Sequence, residues 1–187
     1  MTVPTELDHR FRAAAAAEQL LDVAYDLVGS PLGELLVGVS ERGLCTISYE
    51  PEPEREVELL ARRFGTRVLR SPRPVAGVVR QLDEYFAGRR RQFELEVDLR
   101  LAREFGRTVL HELARVPFGE LTTYGALASR AGKPGAARAV GTIMNRNPVP
   151  IVLPCHRVVG ANGTLVGYAG GLERKQALLR LEGSLLA

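Results

Sequence analysis

Tryptophan is absent from the 187 residues, cysteine occurs only as Cys45 and Cys155, and histidine only as His9, His111 and His156. Two cysteines so far apart match neither a zinc-site spacing nor a disulfide framework, so a reducing compartment and no metal are expected. No apolar run approaches the roughly 20 residues of a membrane helix. Residues 1–12 carry charge throughout, where a secretory signal would place an apolar core. The expectation is a cytoplasmic protein without membrane contact. A dominant charge sign is lacking too, since 25 Lys and Arg against 22 Asp and Glu leave only +3. A basic binding face must therefore come from local clustering. What the chain does have is apolar content, at 45%, enough for one generous core or two small ones.

The run Ala13 to Ala17, continued by Glu18, Gln19, Leu20 and Leu21, favours helix but has little to bury, and reads as an N-terminal extension over residues 1–21. Val23 to Val28 and Leu35 to Val39 are short apolar runs broken by Gly29-Ser30-Pro31 and Gly33, the pattern of a hairpin. Gly43 to Tyr49 alternates as a half-buried strand does. Glu54 to Phe64 and Val75 to Ala87 carry apolar residues at helical spacing, and the second stretch ends at Gly88. Phe93, Leu95, Val97 and Leu99 alternate with acidic residues, which predicts a last strand. Residues 22–100 thus read as a structural α/β domain, a small and mainly antiparallel sheet with helices.

From about Arg103 the texture is helical. Val109, Leu110, Leu113 and Val116 line one face, and Pro117 and Gly119 end the helix. Thr122 or Thr123 can cap a short helix through Ala131, Gly132-Lys133-Pro134-Gly135 turns the chain, and Ala136 to Asn145 forms the next helix. Two short helices about a glycine-containing turn make a helix-turn-helix, so residues 101–187 read as a mainly α, winged-helix-like domain. In the second helix Ala136, Ala137, Ala139 and Gly141 surround a single arginine, Arg138. Small side chains allow a backbone close to a nucleic-acid groove, with the guanidinium supplying charge and reach. They also permit close packing between helices.

Ile151-Val152-Leu153-Pro154 leads into Cys155-His156-Arg157. A cysteine in apolar surroundings is more often an inert core thiol, but a histidine and an arginine follow this one at once. A thiolate is the nucleophile, so a base or a positive field is needed. Adjacent side chains diverge, which leaves a bridging water as the route between Cys155 and His156. A further acid could orient the histidine. Glu182, at the end of the helical stretch Glu173 to Glu182, is one candidate among several.

The stretch from Pro148 through Pro154-Cys155-His156-Arg157-Val158-Val159-Gly160 resembles the acceptor motif of the O6-alkylguanine-DNA alkyltransferases. Pro117-Phe118-Gly119-Glu120, Tyr124-Gly125, Gly135 to Gly141, Asn147-Pro148, Gly167 to Leu172 and Lys175 are similar in order and spacing. The likeness is strong over residues 105–183 and general before them. It implies direct, irreversible repair of DNA, with Cys155 accepting the alkyl group once by in-line displacement. It implies His156 as the base acting through a water, Glu182 holding the imidazole, Asn147 buttressing the loop, and Tyr124 crowding the lesion phosphate and lending a proton to the leaving guanine. Arg138 is implied to fill the gap left by the extruded base, with Ala136, Ala137, Ala139 and Gly141 in the minor groove. Val158, Tyr168 and Ala169 are implied to line the guanine pocket. The implied partner is double-stranded DNA containing O6-alkylguanine, with O4-alkylthymine a further candidate substrate, met by a monomer that needs no cofactor.

The sequence departs from the family in three places. Leu110 or His111 stands where many relatives carry a tryptophan, the N-terminal half offers only Cys45 and His9 where some relatives bind zinc, and Val166 stands where threonine or glycine is common. Three other readings compete. A non-catalytic damage sensor would have its acceptor cysteine replaced, and Cys155 is present. A DNA-binding regulator would bring a second DNA-binding module or a dimerising helix, and neither is evident. A cysteine hydrolase would draw its histidine from far along the chain, and neither His9 nor His111 has a recommending context.

Overall fold

The computed structural model describes residue 14 and residues 20–185. The helix expected over Ala13 to Ala17 lies outside the described residues, apart from Ala14, which is helical. The chain divides into two compact units. One comprises the residues up to Ala87 with Glu94–Asp98, and the other Gly88–Phe93 with everything from Leu99 onward.

In the first unit the alternating runs form strands β1 (Val23–Val28), β2 (Leu35–Ser40) and β3 (Gly43–Tyr49). β1 and β2 make the expected hairpin, registered from Val23 opposite Ser40 to Val28 opposite Leu35. Its turn closes on reciprocal backbone bonds between Ser30 and Gly33, both 3.1 Å, with Gly33 in the left-handed region at φ 100°. Helix α1 (Pro53–Phe64) leads to β4 (Val68–Arg70), and α2 (Pro72–Phe86) follows. Each helix starts at a proline, whose missing N–H costs nothing in a first turn. The sheet order is β3-β2-β1-β4, with β4 parallel to β1 and the other pairs antiparallel. Val23, Leu36, Cys45 and Leu60 form a core cluster, joined by Tyr25, Leu27, Phe64 and Val68.

The strand expected over Phe93 to Leu99 is not formed. One isolated bridge, Val97 with Leu44, is all that pairs there among the described residues. Other partners satisfy this backbone. Gln81 donates from Nε2 to the Glu94 carbonyl at 3.0 Å and accepts from the Glu94 N–H at 2.8 Å. Leu44 then exchanges one bond each with Glu96 and Asp98. A side chain thus takes part of the place of a ladder.

In the second unit α3 (Glu104–Ala114), α4 (Tyr124–Arg130) and α5 (Ala137–Met144) pack through Val109, Leu110, Leu113, Leu127, Ala128, Val140 and Met144, all buried. α3 ends two residues before Val116, which is nonetheless buried. Thr123 caps α4 as expected, its hydroxyl accepting from the Ala126 N–H at 3.1 Å. The turn to α5 uses Gly132 at φ 75° and Gly135 at φ 88°. A two-residue parallel ladder joins β5 (Thr122–Thr123) to β6 (Val158–Val159), pairing Thr122 with Val158 and Thr123 with Val159. A single 3-10 turn, Cys155–Arg157, precedes β6, and α6 (Leu172–Leu181) ends the unit with Glu182 at its C-terminal cap. No helix among the described residues is long and apolar enough to cross a membrane.

Candidate active site

The reactive turn is held by its own loop. Asn147 follows α5 and donates from Nδ2 both to the Leu153 carbonyl at 2.8 Å and to Cys155 Sγ at 3.1 Å, while its Oδ1 accepts from the Val149 N–H at 3.1 Å. One amide thereby ties both ends of the segment Val149–Cys155. Within that segment Ile151 is fully buried at φ 75°, a conformation that a β-branched residue adopts only under constraint.

Cys155 is buried, and burial pushes its thiol up from the ordinary value. Hydrogen bonds from Asn147, from the backbone and from Tyr168, together with the charge of Lys175, oppose that and favour the thiolate. The thiol is protonated at neutral pH and surrounded by groups that would stabilise its anion.

His156 is fully buried, with Nε2 3.0 Å from Glu182 Oε1. Burial holds the imidazole below its ordinary value, and the charges of Arg157 and Lys175 act the same way against Glu182. Burial alone would raise the Glu182 carboxyl, but hydrogen bonds from His156 and Arg157 outweigh it and bring the carboxyl down to about 2. A carboxylate only accepts, so neutral His156 carries its proton on Nε2 and leaves the Nδ1 lone pair as the basic atom. Nδ1 has no protein hydrogen-bond partner among the described residues.

Tyr124 opens α4 and is half-buried. Burial raises its phenol above the ordinary value, and the charge on Cys155 adds to this. A Cβ on Gly141 would stand 3.8 Å from the Tyr124 ring, an ordinary contact, so α5 and the Tyr124 ring are neighbours here. Val158 is buried in β6, Tyr168 is half-buried, and Ala169 is exposed in the following loop. Around the thiol the structure gathers Cys155, Asn147, Tyr124 and Tyr168, with the His156–Glu182 pair in and behind the same turn. Arg138 and Ala139 are exposed on α5, and Ala136 and Ala137 are half-exposed at its start.

The burial of two cations, Lys175 and Arg157, escapes a reading by spacing. Lys175 donates from Nζ to the carbonyls of Val158 at 2.6 Å and Val166 at 3.2 Å, pinning both ends of the segment between them. The signal for it was in the sequence: Lys175 lies in one stripe with Leu178, Leu179 and Glu182, so a charge interrupts an apolar helix face. Arg157 is likewise buried, against Glu182. A second missed signal is charge by unit. The unit holding the thiol has 15 Lys and Arg against 5 Asp and Glu, net +10, whereas the other has 10 against 17, net −7. Arg130, Lys133, Arg138 and Arg146 are exposed on or beside the α4–α5 pair. No group of three or more His, Cys, Asp or Glu among the described residues could hold a metal ion.

Known proteins share this arrangement of units. Residues 23–99 match the 6-O-methylguanine DNA methyltransferase ribonuclease-like domain, and residues 104–184 match the DNA binding domain of the same name. A methylated-DNA--protein-cysteine methyltransferase of Mycolicibacterium paratuberculosis is 44% identical over 165 residues, covering 86% of this chain and 92% of its own. One from Methanosarcina acetivorans is 40% identical over 163 residues, covering 86% and 98%. The crystal structure of Mycobacterium tuberculosis OGT in complex with DNA superposes with a TM-score of 0.75 at 40% identity, over 86% of this chain and 93% of that one. With both halves matched in order and most of the length aligned, the chain belongs to the 6-O-methylguanine DNA methyltransferase family.

Proposed function

We propose that this protein repairs DNA by transferring the alkyl group of O6-alkylguanine irreversibly to Cys155, once per molecule. The observation that carries the reading is the buried Cys155 thiol, held by Asn147 and Tyr168 in the same turn as a His156–Glu182 pair whose basic nitrogen is Nδ1. A thioether formed there is too stable for any group in the site to cleave.

In this reading residues 22–100 are structural and residues 101–187 bind double-stranded DNA. α5 enters the minor groove on its small residues Ala136, Ala137, Ala139 and Gly141, and Arg138 occupies the gap left by the extruded nucleotide. Extrusion costs a few kcal/mol, which an inserted side chain offsets in part. The flipped base lies against Val158, Tyr168 and Ala169.

His156 Nδ1 takes the thiol proton through a water. The sulfur attacks the alkyl carbon, the S–C bond forms as the C–O bond breaks, and the electron pair goes to guanine. Tyr124 gives the leaving base its hydroxyl proton and is reprotonated from the imidazolium by way of solvent. Part of what keeps the Tyr124 proton in place is the thiolate charge, and that charge vanishes as the thioether forms. The phenol therefore becomes a better acid at the moment a proton is needed. The protein would act as a cytoplasmic monomer without a cofactor.

Intact mass after incubation with a duplex carrying one O6-methylguanine tests the reading, with Cys155→Ser alongside. A stoichiometric gain of about 14 Da, lost in the variant, supports transfer to Cys155. Binding of that duplex without a gain in mass would replace it with the non-catalytic damage-sensor reading.

A further inference from the structure

Arg157 closes the reactive turn, is buried, and has no part in the transfer steps above. Its guanidinium forks onto Glu182, Nε donating to Oε2 at 2.8 Å and Nη2 to Oε1 at 2.7 Å, while Nη1 donates to the Val116 carbonyl at 2.5 Å. The guanidinium carbon lies 5.9 Å from the centre of the Phe118 ring, which also receives Arg91 at 5.6 Å. The Gly119 N–H adds a bond to Glu182 Oε2 at 3.3 Å. Oε1 is therefore shared between Arg157 Nη2 and His156 Nε2, and a rigid fork fixes the carboxylate plane that orients the imidazole.

Charge matters as much as geometry in so enclosed a place. With His156 neutral, Arg157 and Glu182 cancel. Without the guanidinium, Glu182 would keep an uncompensated buried charge, and a proton on His156 would be the closest means of neutralising it. The other ionisable groups facing the pair are Lys175 from α6 and Cys155 from the turn, with Tyr168 and Tyr124 bearing on the thiol. Lys175 is tied to the Val158 and Val166 carbonyls, so it does not stand in for Arg157.

We propose that Arg157 is a positioning residue that keeps His156 unprotonated at rest, by neutralising Glu182 and fixing its Oε1 against Nε2, so that Nδ1 can receive the Cys155 proton. The proposal rests on the reading of Cys155 as the acceptor. In the resting site the proton is on sulfur, and in the activated site it is on Nδ1. A histidine already protonated from solvent cannot take it.

The test is the single-turnover rate of methyl transfer from an O6-methylguanine duplex between about pH 5.5 and about pH 9, in the full-length protein, Arg157→Met and Arg157→Lys. It is paired with NMR titration of the His156 ring in each. Arg157→Met is expected to move the acid limb of the rate profile, and the ring titration with it, upward by about 1 to 2 pH units. Arg157→Lys is expected to leave the midpoint in place and lower the plateau, because a point charge cannot hold both oxygens. A uniform loss of rate in Arg157→Met with an unmoved midpoint would overturn the proposal. Should Arg157→Met fail to fold, Arg157→Met/Glu182→Gln removes both charges, and its His156 ring should titrate no higher than in the wild type; a raised titration there overturns the proposal as well. Wild-type protein that transfers no methyl group would sink the acceptor reading instead, and the ring titration would still decide what Arg157 does to His156.

Discussion

Glu182→Gln removes one negative charge while keeping the side chain's volume, and its cost should depend on pH in a way that can be worked out. The folded carboxyl ionises at about 2 against a usual 4.5. A depressed folded value means that the stabilisation is fully present above the unfolded value and is lost as pH falls toward the folded one. At 1.36 kcal/mol per unit, the ionised group contributes up to about 3 kcal/mol at pH 7, about 2.5 at pH 4 and about 1.5 at pH 3. The wild type should exceed Glu182→Gln by that margin at neutrality, and the gap should close in acid. Urea unfolding followed by circular dichroism at pH 7, 4 and 3 measures it; with no tryptophan in the chain, backbone signal is the better probe. A gap that stays constant with pH, or one below about 0.5 kcal/mol at neutrality, would mean that water screens the carboxylate and that the three-residue cluster does not hold it.

Asn147→Ala strands the Val149 N–H and takes one of two donors from the Leu153 carbonyl, which keeps the Cys155 N–H at 2.8 Å; it should cost about 1 to 3 kcal/mol of stability by chemical denaturation, with a larger proportional loss of methyl-transfer rate because Sγ loses a donor. Methylation of Cys155 leaves Asn147 only a weak thioether acceptor, removes the S–H and adds a methyl group where the side chain is buried. The purified methylated protein should be less stable than the free thiol by about 1 to 2 kcal/mol, which scanning calorimetry would register as a drop of several degrees. Arg138→Ala should slow transfer from duplex more than from a single strand, in which no gap must be filled, and should flatten the dependence of log affinity on log salt by at most about one. Equal slowing on both substrates would assign Arg138 to ordinary phosphate contact.

Much of the architecture was legible. The hairpin, the third strand and the amphipathic helices announce themselves through period and punctuation, and Thr123 capped the helix that its position suggested. Residues 93–99 misled because alternation describes any extended segment with one buried face, and only the Gln81 side chain shows why no ladder forms. β4 is three residues long and too short to carry a period. In the site, Cys155 and His156 were singled out by adjacency, but choosing Glu182 among the acids needed the family resemblance, since the 26-residue separation from His156 is closed by tertiary packing. Lys175 and Arg157 were noticed in the motif, but their burial went unread because charged residues are assigned to the surface by default. The basic character of the DNA-binding half was hidden by adding it to an acidic one.

The parallel pair of Thr122–Thr123 with Val158–Val159 is only two residues long, yet it limits how this scaffold can be re-engineered. The strand that leads into α4 and the strand that leaves the reactive turn are registered on each other. A foreign helix-turn-helix grafted at residue 122 would arrive without the edge on which Val158 and Val159 are registered, and the turn at Cys155–Arg157 would lose its alignment. Length can be changed more safely at residues 160–164, where Gly160 and Thr164 close an exposed turn on themselves. Substitutions on the exposed positions of α5, such as Arg138 and Ala139, leave the ladder untouched.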